Sequence, residues 1–263
     1  MLKRRSLLRA GAGVAGASWL SGVQARKPSA DPVKVLAASD LKFALTDVVE
    51  AYTKEFGQTV QVTFGSSGNL MRQIQQGLAA DVFMSADEGF VFALAKAGRT
   101  WQGSTGAIYG RGRLALWAGQ SVPVALDARM EGVRSNWAAI HKFAIAQPDH
   151  APYGRAAREA LLACGLWDMV QPKLVLGDGV LQAMQFLTTG AAQVGITSLS
   201  LALVPQFQPM GRYVVLPESL HSVLNQRAVL LPDASAAGHA FFAYLQSAKS
   251  REILTKYGFA QAA

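Results

Sequence analysis

Apolar and polar positions alternate in blocks along this chain, and each block ends on a small cluster of Gly, Ser, Asp or Pro. Residues 32–38, PVKVLAA, form an apolar run long enough for a buried strand, with Ser39 and Asp40 directly behind it. Leu41, Ala44, Leu45, Val48, Tyr52 and Phe56 then recur at spacings of three and four, which gives one apolar helix face that Gly57 closes. Ser39 or Asp40 is the expected N-cap of that helix. Residues 59–64, TVQVTF, alternate like a half-buried strand. They run into FGSSGNLMRQ, residues 64–73, a Gly/Ser loop that turns directly into a helix carrying Leu70, Ile74 and Leu78. Residues 80–86, ADVFMSA, return as a strand, and Ser85 or Asp87 can cap a helix through Phe90, Phe92, Ala93, Leu94 and Ala97.

That rhythm predicts an α/β chain with a mostly parallel sheet flanked by helices. The pattern changes at residues 109–117, YGRGRLALW, which read as one long glycine-hinged strand crossing into a second lobe. Beyond it the same grammar repeats. Residues 142–146 read as a strand, 148–154 as a loop ending near Tyr153, and 155–164 as a helix. They are followed by a strand at 173–176, the loop GDG at 177–179, a helix at 180–187, and a strand at 193–197 with Ser198 at its carboxyl end. Residues 225–231 cross back, and helices between 234 and 257 complete the first lobe. The expected organisation is an export signal at 1–25, a tether at 26–31, a first lobe at 32–110, a second lobe at 111–225 and a return to the first at 226–263.

The loops carry the candidate chemistry. Gly65 and Gly68 relieve the backbone of Cβ crowding, Ser66 and Ser67 are small neutral donors, and the following helix start has unpaired N–H groups with partial positive charge. This is the composition of an anion cradle. The junction at Ser39 and Asp40 offers a second one, and ligands of such sheets bind beyond the carboxyl ends of the strands. GSSGN has Asn69 where the nucleophile elbow G-x-S-x-G ends on Gly, and it lacks the Gly-Lys-Ser/Thr of a P-loop.

With 263 residues and 51% hydrophobic content, the chain can bury one large core or two modest ones. Lys3, Arg4 and Arg5 precede a short apolar run at residues 7–20, and VQA at 23–25 resembles a small-residue cleavage site; this is the pattern of an export signal. The paired arginines and the Gly/Ala-rich run resemble the twin-arginine type. Without residues 1–25, which hold four basic residues and no acid, the net charge falls from +8 to +4. The remaining Lys and Arg are scattered, which argues against a nucleic-acid surface and suits the steering of a small anion. Cys164 is the single cysteine, so no intramolecular disulfide forms; within ALLACG it reads as a buried structural thiol. His141, His150, His221 and His239 show no metal-ligand spacing, and neither a bare-ion site nor a cofactor is expected.

Taken in order, VLAASDLKFAL (35–45), VTFGSSGNLMRQI (62–74), ADVFMSADE (80–88), GRLALW (112–117), HAPYGRAAREAL (150–161), VLGDGVLQAM (175–184) and VGITSLSLA (194–202) resemble the periplasmic molybdate-binding proteins of ABC importers. The segments span nearly all of the chain after Pro32. The resemblance implies a two-lobed periplasmic-binding-protein-like fold that closes over a tetrahedral dianion, molybdate or tungstate. Its partners would be an inner-membrane ABC permease and its ATPase, and the mature protein would be a non-enzymatic monomer in the periplasm. It assigns the Ser39 hydroxyl, the Asp40 amide, Ser67, and the backbone N–H groups of Tyr153 and Val180 to the anion, which would be the only form in which molybdenum is held. Relatives with a Tyr near Ser198 use its hydroxyl on the anion, which makes the shorter Ser198 the remaining candidate. Some relatives carry Ser or Asn at the place of Asp40. Its carboxylate either turns away to cap its own helix or accepts a hydrogen bond from a protonated oxyanion, and the second option keeps phosphate, beside sulfate, as an alternative ligand. A reading from another class is an exported serine hydrolase using Ser66 or Ser67, which requires a base and an orienting acid beside the serine.

Overall fold

The structure, a computed structural model, describes residues 31–261. The export signal and all but the last residue of the tether lie outside them. In chain order the strands are β1 (Val33–Ala38), β2 (Val60–Gly65), β3 (Val82–Ser85), β4 (Ala107–Gly112), β5 (Leu114–Gly119), β6 (Phe143–Ala146), β7 (Leu174–Gly177), β8 (Val194–Ser198), β9 (Gly211–Val215) and β10 (Leu224–Leu230). The helices are α1 (Lys42–Phe56), α2 (Ser67–Gln75), α3 (Glu88–Lys96), α4 (Glu131–Ser135), α5 (Pro152–Ala163), α6 (Trp167–Val170), α7 (Val180–Thr188), α8 (Leu199–Ala202), α9 (Ala236–Leu245) and α10 (Ala248–Lys256).

The strands form two five-stranded sheets, β2-β1-β3-β10-β4 and β7-β6-β8-β5-β9. In the first, β1 pairs in parallel with β2 and β3, while β10 runs antiparallel to β3 and β4. In the second, β6 pairs in parallel with β7 and β8, while β5 runs antiparallel to β8 and β9. Helices on both faces explain why the inner strands are continuous apolar runs: every residue of β3 and β6 is buried. The edge strand β2 instead alternates half-buried and exposed positions. Val33, Val35 and Ala37 of β1 pack toward Tyr52 and Phe241 on one face, and Leu36 toward Leu70 and Phe83 on the other. The second lobe has its own core around Trp117, Phe143 and Leu161, all fully buried.

Four details differ from the sequence pattern. The single strand read at 109–117 is two, β4 and β5, which sit in different sheets on either side of Arg113. Strand β9 was not legible as one. Helix α2 stops at Gln75 because Gly77 turns the chain with φ +98°, and Leu78 is exposed. Helix α5 begins at Pro152, three residues before the expected start, which brings Tyr153 into its first turn. Registers such as Ala38 opposite Gly65, and Ala146 opposite Gly177, align the carboxyl ends of the parallel strands within each sheet. The loops leaving those ends face one another across the cleft.

Candidate functional site

Each wall of the cleft is a strand end followed by a helix start. From the first lobe come Ala38, Ser39 and Asp40, then Gly65, Ser66 and Ser67, and Ala86; from the second come Pro152 and Tyr153, then Gly179 and Val180. They line a small cavity of about 10 Å³. Helices α2, α5 and α7 all begin at it, and first-turn N–H groups have no intrahelical acceptor. Pro152 has no N–H, so Tyr153 presents the first free donor of α5. Ser67 is 1% exposed and its Oγ accepts from the Ala86 N–H at 3.0 Å, which leaves its own proton for the cavity. The Ser39 Oγ lies 3.5 Å from the Leu181 N–H of the opposite lobe. Among the described residues, neither lysine nor arginine lines the cavity.

The sequence candidates Ser39, Asp40, Ser67, Tyr153 and Val180 therefore meet at one point. Ser198 does not line that cavity. It is fully buried, its Oγ accepts from the Leu201 N–H at 3.3 Å as the cap of α8, and it shares a hydrogen bond with Ser200 Oγ at 2.9 Å.

The lobes are clasped over the site. The Gly68 N–H donates to the His150 carbonyl at 3.0 Å, and the Ser66 hydroxyl meets His150 Nδ1 at 2.9 Å. Asn69 Nδ2 donates to Asp178 Oδ1 at 2.7 Å, the same oxygen that lies 3.6 Å from His150 Nε2. Arg155 pairs with Asp87 across the same seam. The Nε2–H tautomer of His150 fits both neighbours, because Nδ1 then accepts from Ser66 while Nε2 faces a carboxylate.

Asp40 departs from the capping role. A 3-10 turn over Ser39–Leu41 precedes α1, and no side chain caps either element. The carboxylate is 1% exposed, and its Oδ2 accepts from Gln226 Nε2 at 2.7 Å. The same nitrogen donates to the Tyr153 hydroxyl oxygen at 2.9 Å, while the Tyr109 hydroxyl donates to Gln226 Oε1 at 2.8 Å. Gly112 makes room for this network: a Cβ there would overlap the Tyr153 hydroxyl and come within 2.6 Å of Gln226 Nε2. Burial pushes the Asp40 carboxyl up to about 6, against the opposing pull of its hydrogen bonds. Burial first, then the Asp40 charge, push the Tyr109 and Tyr153 phenols well above their usual range. Sequence reasoning missed Gln226 and Tyr109. The available signal was a polar Gln standing between Leu224 and Ala228 at the inward positions of the returning strand.

A larger groove at the opposite end of the first sheet, lined by Lys34, Asp81, Arg99 and Asp233, has no such convergence. Its buried carboxylate, Asp81, already accepts from the backbone N–H groups of Lys34 and Ser235.

Residues 33–260 match the model of the bacterial extracellular solute-binding proteins. The chain belongs to that family. It is 32% identical to the molybdate-binding protein ModA of Rhodobacter capsulatus, over 93% of this chain and 95% of that one. It is 33% identical to ModA of Escherichia coli K12, over 86% and 88%. The solved periplasmic molybdate-binding protein of Azotobacter vinelandii superimposes with a TM-score of 0.80 at 27% identity, covering 88% of this chain and all of that one. The two sheets flanked by helices are thus the two lobes of a solute-binding protein, and the cavity lies where they meet.

Proposed function

We propose that the protein captures molybdate, and tungstate as a close analogue, in the periplasm and delivers it to an inner-membrane ABC permease with its ATPase. The observation that carries this is the shut cavity: neutral hydroxyls and helix-start amides from both lobes converge on a space that no lysine or arginine of the described residues lines. In this reading the Ser39 and Ser67 hydroxyls and the N–H groups of Asp40, Tyr153 and Val180 donate to the four anion oxygens. Each helix start contributes up to roughly 2 kcal/mol when partly buried, so several converging ones hold a dianion without a counter-cation. Size selects among dianions of equal charge, because a smaller sulfate leaves the same donors with stretched bonds. ModA relatives at about a third identity support this choice of ligand.

Ser66, His150 and Asp178 stand in the order nucleophile, base, acid, which is the arrangement a serine hydrolase needs. The geometry favours a clasp. Asp178 is exposed and 3.6 Å from the ring nitrogen, Ser66 is 3% exposed, and the three residues meet only because the lobes are shut. Ester hydrolysis by the purified protein that disappears in Ser66→Ala would reverse that judgement.

Thermal unfolding with molybdate, tungstate, sulfate or phosphate at equal ionic strength tests the ligand. At a hundredfold excess over its dissociation constant, molybdate is expected to stabilise by about 2.7 kcal/mol, roughly 5 to 11 °C in a chain of this size. Sulfate is expected to give no shift; equal shifts with molybdate and sulfate would remove size selection from the account. Ser67→Ala deletes one donor to the anion and strands the Ala86 N–H that its oxygen now accepts. It is expected to weaken molybdate binding by about 10- to 100-fold in calorimetric titration, from a loss of roughly 1.5 to 3 kcal/mol. An unchanged dissociation constant would place the anion elsewhere.

A further inference from the structure

Neutral donors account for an anion's oxygens, but not for a carboxylate buried in the same wall. Asp40 lines the cavity, and its Oδ1 is buried with no hydrogen-bond donor. Its Oδ2 is held by Gln226 of β10. The titratable groups facing it are the phenols of Tyr109 on β4 and Tyr153 on α5, and α8 presents only the Ser200 hydroxyl, which bonds the Asp40 carbonyl. Among the described residues no cation acts on its charge; Gln226 and Tyr153, then the backbone N–H groups of Asp40 and Leu41, favour the charged form, but none meets hydrogen-bond geometry at Oδ1. An anion in the cavity would claim the Asp40 N–H and add two negative charges in a dry space. Like charges that close cannot both stay fully ionised without a counter-cation.

We propose that Asp40 is a specificity-determining residue: its carboxyl takes up one proton as a tetrahedral dianion binds, and the resulting Oδ1–H donates to an anion oxygen. The proposal rests on the anion-capture reading above and adds a proton to the ligand. The balance is simple: one solvent proton forms the Oδ1–H bond and no covalent bond breaks. An anion that carries its own proton, such as hydrogen phosphate, instead donates to the ionised carboxylate, and no proton is taken up. Burial already sets the free carboxyl near pH 6. From about pH 7 upward, molybdate binding therefore weakens tenfold per pH unit while hydrogen phosphate binding does not, and selectivity drifts toward phosphate.

Isothermal titration calorimetry of the purified protein with sodium molybdate at pH 8, in buffers of different ionisation enthalpy, counts the protons. Wild type is expected to take up about one. Asp40→Asn is expected to take up none, and its dissociation constant should stay flat between pH 7 and 9. Uptake near zero in wild type overturns the proposal. Uptake that persists in Asp40→Asn also overturns it and assigns the proton to another group. Should Asp40→Asn not fold, the wild-type pH series decides alone: tenfold per unit supports the proposal, and a flat series sinks it. If molybdate does not bind but sulfate does, the proposed ligand is wrong, and the same proton count made with sulfate still judges Asp40. Absence of binding by every tetrahedral dianion overturns both.

Discussion

Gly68→Ala is expected to weaken anion binding by roughly 30- to 1000-fold while the melting temperature of the unliganded protein stays within about 2 °C of wild type. Gly68 lies in the first turn of α2 in the first lobe, and a Cβ on it would sit 2.6 Å from the His150 carbonyl oxygen and 3.1 Å from the His150 Cα of the second. The obstacle is backbone, so no rotamer change relieves it. The same shift disturbs the 3.0 Å hydrogen bond from the Gly68 N–H to that carbonyl. Overpacking costs about 1 to 3 kcal/mol and a lost hydrogen bond about 0.5 to 1.5, and both arise only when the lobes shut. Within the first lobe alone the substitution is mild, since Ala is the better helix former. The penalty therefore falls on the bound, closed state. Calorimetric titration and scanning calorimetry of the variant separate the two effects. Full affinity in Gly68→Ala would show that the clasped arrangement is not the form that holds the anion.

What could be read from the sequence was local, and what could not was a matter of long-range meeting. The strand-to-loop junctions at Ser39, Gly65, Tyr153 and Gly179 announce themselves, because an apolar run, a small polar cluster and a helical period lie within a dozen residues. Nothing local says that Gln226 donates to Asp40, 186 positions away, or that Tyr109 closes the same network from β4. The clasp is of the same kind: His150 and Asp178 look like ordinary loop residues until the lobes bring Ser66 and Asn69 against them. Ser198 shows the converse. Its residue type and its place at a strand end suggest a donor, yet the first turn of α8 and Ser200 engage its oxygen. Asp40 was placed correctly on the chain but not in space, since a helix-cap residue and a buried carboxylate look identical in a one-dimensional pattern. What distinguishes them is the 3-10 turn that precedes α1 and leaves both elements without a side-chain cap.

The melting temperature of Asp40→Asn, relative to wild type, is expected to rise by about 5 to 10 °C between pH 4 and pH 8 in the absence of ligand. The folded protein holds the Asp40 proton more tightly than the unfolded chain does, because burial raises the carboxyl from 3.8 to about 6. Wild type is therefore unpenalised below pH 3.8 and loses stability as pH rises through the window from 3.8 to 6. Above it the full cost remains, on the order of 3 kcal/mol for a shift of this size. Asn cannot ionise and carries no such slope, and its amide oxygen can still accept from Gln226. Any constant effect of placing an amide beside the Asp40 and Leu41 N–H groups moves the whole curve without tilting it. Groups that titrate in both proteins, such as Asp127, where burial is outweighed by several backbone hydrogen bonds that lower its pKa, cancel in the difference. Scanning calorimetry across the pH range reads that tilt directly. Parallel curves would mean that the fold holds the Asp40 charge as easily as water does.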